Sequence, residues 1–142
     1  MQKSWIAAAS FLLAFAVAMG ALGAHALREV CTVEQINSFE TAVRYQVWHC
    51  FAILFIQFLP DPVIGKKRRV QITLSFLIGI IAFSFSIYLL ALRDVLGIQA
   101  AASILGPITP IGGLFLIGGW IWLGISVLFF SPKNGRANAG LN

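Results

Sequence analysis

The stretch VQITLSFLIGIIAFSFSIYLLAL, residues 70–92, contains no charged side chain. As a helix it would extend roughly 35 Å at 1.5 Å per residue, enough to cross the ~30 Å hydrocarbon core of a bilayer. In lipid every backbone N–H and C=O needs an internal partner, so an open chain crosses as a helix. Three further stretches, residues 5–24, 43–59 and 110–130, read the same way, and within all four only Arg44 and His49 carry ionisable basic groups. The predicted fold is therefore an all-α integral membrane protein, an antiparallel four-transmembrane-helix bundle. It forms one domain over residues 1–130, with a polar cytoplasmic tail at 131–142.

Composition agrees. The chain is 59% hydrophobic and 11% charged, far from the average soluble domain. Its net charge of +5 does not point to nucleic acid, because four of the ten basic residues form one block, Lys66-Lys67-Arg68-Arg69, between the second and third spans. Such blocks set membrane orientation. With that block inside, both termini are cytoplasmic, and Lys3, Lys133 and Arg136 join it, so seven of the ten basic residues face inward. Arg28, Arg44 and Arg93 lie outside, with Glu29, Glu34, Glu40 and Asp94. The first apolar run, followed by Ala24-His25-Ala26, imitates a signal peptide but exceeds the 7–15 residues of an h-region, so it reads as a retained span. Cys31 and Cys50 would lie roughly 25 Å apart along a helix, too far for a disulfide.

Thr32 and Gln35 fit a capping box, which starts the second helix near Val33, and Pro60-Asp61-Pro62 ends it. Thr109-Pro110 reads as an N-cap followed by proline at the first helical position, opening the fourth span. Ala9, Ala16, Gly20 and Ala24 form a small-residue stripe on the first span, suited to close helix packing.

Catalytic signatures are missing from the sequence: there is no C-x-x-C, no H-E-x-x-H and no phosphate loop. No Asp or Glu lies within a span, whereas ion-coupled transporters normally place carboxylates there. What remains is a polar cluster. Tyr45, Gln46 and His49 fall at about 0°, 100° and 40° around the second helix, within one arc. Ser84 and Tyr88 form a comparable stripe on the third. The orientation above brings His25, Thr109 and these residues together in the outer leaflet. Two readings compete. Such groups act as interhelical glue, or they line an outer-leaflet pocket for a lipid or quinone headgroup. A haem between His25 and His49 is a weaker form of the second reading, because His49 would sit roughly 10 Å deeper than His25. His49 is expected to be neutral, with Tyr88, Ser84 or Thr109 as its cross-helix partner.

These motifs together resemble a known family. Gly20-Ala21-Leu22-Gly23-Ala24-His25-Ala26-Leu27 and Phe39-Glu40-Thr41-Ala42-Val43-Arg44-Tyr45-Gln46-Val47-Trp48-His49 are similar to its first two signatures. Phe83-Ser84-Phe85-Ser86-Ile87-Tyr88, and Thr109-Pro110-Ile111-Gly112-Gly113 followed by Gly119-Trp120, are similar to its third and fourth. The family is domain of unknown function 423, which includes bacterial inner-membrane proteins and animal transmembrane protein 256, and the resemblance runs from about residue 4 to 130. It implies a four-span protein and carries over no catalytic residue. Phe85 departs from the family pattern, where a small residue is expected. The resulting expectation is a non-enzymatic structural, assembly or accessory component in the bacterial inner (plasma) membrane, with the mitochondrial inner membrane as the alternative location. No cofactor is predicted. The expected partners are the lipid bilayer and a larger membrane complex or further copies of the chain, and no nucleic acid.

Overall fold

The computed structural model describes residues 2–129, and every regular element among them is helical. Helix α1 (Gln2–Ala24) leads through a 3-10 turn (Ala26–Glu29) to α2 (Val33–Phe58), and a short α3 (Asp61–Ile64) follows. The third apolar stretch is one rod in three parts: α4 (Lys66–Gly79), a π-helical segment (Ile80–Phe85) and α5 (Ser86–Ala91). A second 3-10 turn (Gln99–Ala101) precedes α6 (Ala102–Phe129). The expected tail, with Lys133 and Arg136, lies outside the described residues.

Three stretches are long and apolar enough to cross a membrane: Gln2–Glu29, Lys66–Ala91 and Gln99–Phe129. The second expected span, in α2, is not among them. Helix α2 has the length, 26 residues, but Glu34, Glu40, Arg44, Gln46, His49 and Gln57 interrupt its apolar run. The physical reason lies in its position. Ten residues of α2 are buried, Gln46, His49 and Gln57 among them, against three in α1 and five in α6. Helix α2 packs on α1 and on the α4–π–α5 rod, and the rod packs on α6. A helix enclosed by protein can carry polar groups that a lipid-facing one cannot.

Small residues set the closest approaches. Ala9 and Ala16 are fully buried in α1, and a Cβ on Gly23 would stand 3.1 Å from the Phe39 ring of α2. Ala24, expected in the same stripe, is exposed. Between the rod and α6 the fit is tighter. A Cβ on Gly112 would collide with the backbone nitrogen of Phe83, one on Gly79 would meet Leu116, and one on Gly119 would meet the Phe76 ring. Phe85 packs against the core and stacks on Phe15 of α1, with centroids 5.4 Å apart.

The start of α2 is as expected. The Thr32 backbone N–H donates to Gln35 Oε1 at 2.8 Å, and the Gln35 N–H donates to Thr32 Oγ1 at 3.3 Å. The backbone and the Thr32 hydroxyl hold the Glu34 carboxyl below the ordinary carboxylate value. The start of α6 is not where Thr109-Pro110 suggested. The helix begins at Ala102 and contains Pro107 and Pro110, so Thr109 is no N-cap. The prolines sit on the exposed side of the first turns, where carbonyls deprived of an N–H can be solvated. The Thr109 hydroxyl instead donates to the Leu105 carbonyl at 3.2 Å.

The basic block forms the first turn of α4. Cations there oppose the helix dipole, and Asp61 offsets them: its carboxylate lies 2.8 Å from Arg69 and 3.9 Å from Lys66. Arg68 donates to the Ser126 carbonyl of α6 at 3.4 Å. Cys31 and Cys50 are both free thiols.

Candidate functional site: a polar network across the helices

Gln46 is completely buried, and both ends of its amide are used. Nε2 donates to the Leu12 carbonyl of α1 at 2.7 Å, while Oε1 accepts from the Tyr88 hydroxyl of α5 at 2.9 Å. One side chain thus ties three helices together. Tyr88 is held in place by Phe39, with ring centroids 4.8 Å apart.

His49 forms the second node. Nδ1 lies 2.7 Å from the Tyr45 carbonyl, one turn earlier, and Nε2 lies 3.1 Å from Trp120 Nε1 on α6. An indole N–H can only donate, so Nε2 carries the lone pair and Nδ1 carries the proton. The imidazole is therefore neutral, as expected, and links α2 to α6. Its partner is neither Tyr88, Ser84 nor Thr109, which corrects that expectation. Trp120 was legible only as part of a family motif. The available signal was chemical, since a buried Trp N–H usually finds an acceptor.

The third node joins α5 to α6. Ser86 Oγ lies 2.7 Å from Thr109 Oγ1 and 2.9 Å from the Phe83 carbonyl; because Thr109 spends its proton on Leu105, the single Ser86 proton is shared between these two acceptors. Ser84, favoured by the sequence, is buried with its hydroxyl unpaired, and its neighbour Ser86 makes the interhelical contact. The wide π segment changes which serine faces α6. His25 is exposed before the 3-10 turn, and its side chain makes no cap bond. The haem reading gains no support from this arrangement, because an iron at His49 Nε2 would have to displace the Trp120 bond. No group of three or more His, Cys, Asp or Glu residues able to hold a metal occurs among the described residues.

Two concavities border the network. A cleft of about 370 Å³ between α2 and α6 is lined by Tyr45, Trp48, His49, Phe83, Leu116 and Trp120. The Tyr45 ring meets Phe83 and Trp48 in tilted contacts, at 4.7 Å and 5.5 Å between centroids. A pocket of about 500 Å³ lies where α2 begins and α5 ends, bordered by Thr32, Gln35, Ser38, Thr41, Arg93 and Asp94. Gln35 donates to Asp94 across it at 2.7 Å.

Apolar helices packed against a polar-striped α2 define a helical membrane protein whose buried polar groups join its helices. Residues 19–113 match the family described as "Protein of unknown function (DUF423)", and the chain belongs to that family. It is similar to a UPF0382 membrane protein of Staphylococcus haemolyticus, 33% identical over 91% of this chain and 98% of that one. It is 31% identical to the UPF0382 membrane protein YwdK of Bacillus subtilis, over 80% of this chain and 86% of the relative. The UPF0382 inner membrane protein YgdD of Escherichia coli is 30% identical over 87% of this chain and 93% of its own. No solved structure matches.

Proposed function

We propose that this is a four-span protein of the bacterial inner membrane, with both termini cytoplasmic and a structural, assembly or accessory role rather than a catalytic one. One observation carries the reading: the polar side chains in the half of the bundle around Gln46 and His49 bond to one another and to backbone across helices. Groups engaged in this way hold helices in register and are not poised on a substrate. The lipid-facing sides of α1 and α6, which expose Phe11, Val17, Ile117 and Leu128, give room for a larger membrane complex or for further copies of the chain. Inner-membrane residence follows the name of the E. coli relative. The orientation follows the excess of basic residues on the Lys66 side.

Cysteine labelling tests the orientation. Ser103→Cys is expected to react with an impermeant maleimide from outside intact cells, and Ser131→Cys only after permeabilisation. External labelling of Ser131→Cys would reverse the topology. Co-purification in mild detergent tests the role, with stoichiometric partner subunits or a defined homo-oligomer as the expected result.

A second reading has one observation in its favour. The aromatic cleft beside His49 has the size and lining to hold the ring of a quinone or a lipid segment. Retention of extractable quinone by purified protein, lost in Trp120→Ala, would promote it. A Soret band in the visible spectrum would instead promote haem.

A further inference from the structure

At the opposite end of the bundle, where the basic block lies, a pocket of about 440 Å³ is lined by Gln2, Trp5, Gln57, Asp61, Lys66 and Arg69. It is built from the first turn of α1, the last turn of α2, α3 and the first turn of α4. Its polar groups are unusually incomplete. Arg69 is only 9% exposed and Gln57 only 1%, yet Arg69 Nε, Gln57 Oε1 and Trp5 Nε1 are buried atoms without a hydrogen-bond partner. The rest of each group is engaged. Arg69 reaches the Leu59 carbonyl and Asp61, Gln57 Nε2 donates to Thr73 Oγ1 at 3.0 Å, and the Gln57 carbonyl accepts from Gln2. Buried polar atoms left unpaired are rare and call for a partner.

The pattern specifies that partner. Two unpaired N–H donors want an anionic oxygen, and one unpaired amide oxygen wants a hydroxyl. Lys66 and Arg69 against Asp61 leave one net positive charge, enough to favour an anion. Lys66 is exposed and Trp5 is half-buried, as expected at the headgroup level of a bilayer. Basic pockets between membrane helices are suited to anionic headgroups. We infer that this pocket binds the phosphate and headgroup hydroxyl of one hydroxylated anionic phospholipid, of the phosphatidylglycerol type. The phosphate accepts from Arg69 Nε and Trp5 Nε1 with Lys66 alongside, and the hydroxyl donates to Gln57 Oε1. The inference goes beyond the proposed function and does not depend on which face of the membrane the pocket occupies.

Native mass spectrometry of the full chain, extracted in an equimolar mixture of phosphatidylglycerol and phosphatidylethanolamine, tests it. The expected result is one retained phosphatidylglycerol, preferred over phosphatidylethanolamine by about fivefold or more, the equivalent of ~1 kcal/mol per basic group at the membrane surface. Trp5→Phe keeps the ring and removes the donor; Lys66→Gln removes an exposed charge. Each is expected to reduce retention about fivefold while thermal unfolding in detergent is unchanged. Competition by glycerophosphoglycerol, the deacylated headgroup, would show that headgroup chemistry alone suffices; no competition would show that the acyl chains are needed, and either supports the site. Equal retention of the two lipids, or retention indifferent to both substitutions, would overturn it.

Discussion

Gln46 ties α2 to α1 and to α5, because its donor and acceptor serve different helices. Replacing it with leucine removes both bonds and leaves the Tyr88 hydroxyl buried without an acceptor, at a cost of about 1–3 kcal/mol. In a double-mutant cycle with Tyr88→Phe, unfolding titrations in detergent should give a coupling of about 0.6–1.7 kcal/mol, the range for interhelical bonds in membranes. His49→Leu should likewise destabilise by about 1–3 kcal/mol, since the Trp120 N–H loses its acceptor. His49→Gln should be milder, because an amide oxygen can replace Nε2. Equal thermal stability of wild type and His49→Leu would mean that the Trp120 bond contributes nothing. The stripe of Tyr45, Gln46 and His49 was legible in the sequence because periodicity on one helix fixes a face. The partners Trp120 and Ser86 were not, because the pairing of faces depends on rotation and register between helices, which one helix's period does not contain.

At the scale of elements, glycine decides how closely α6 lies against the rod. A Cβ on Gly112 would collide with backbone at Phe83, which cannot swing away. Gly112→Ala should therefore destabilise by about 1–3 kcal/mol as overpacking does. Gly118, with open space around it, is the control: Gly118→Ala should be neutral, or favourable by up to ~1 kcal/mol from helix propensity. Comparable melting temperatures for the two variants in detergent would contradict this account of the contact. Helix starts with side-chain caps were legible, as Thr32 and Gln35 show. The start of α6 was misjudged because Pro107 and Pro110 lie on the exposed side of its early turns, where the carbonyls they leave without an N–H can be solvated. The π segment left no trace in an apolar run, since neither hydropathy nor composition marks it.

For the molecule as a whole, α2 is the helix that the membrane alone would not accept. Its polar residues are tolerable only once α1, the rod and α6 surround them. An insertion reporter fused to isolated Val33–Phe58 should therefore insert poorly, while the same helix within the full chain should cross. Efficient insertion in isolation would show that burial by neighbours is not required. The overall helical architecture was legible because apolar length is a one-dimensional property. The burial of the polar stripe of α2 was legible only indirectly, through polar groups that lipid would reject.

The π segment has a consequence for how the chain tolerates changes in length. A wide turn of this kind amounts to one extra residue threaded into an α-helix, so everything after it is rotated by about 100° from where an unbroken helix would have put it. Tyr88 meets Gln46, and Ser86 meets Thr109, only in that shifted phase. The segment acts as a vernier between two gauges, one setting the contact of α4 with α6 and the other setting the polar bonds of α5. Dropping a single apolar residue between Ile80 and Phe85 would leave hydropathy almost untouched, yet it would turn both α5 side chains away from their partners at once.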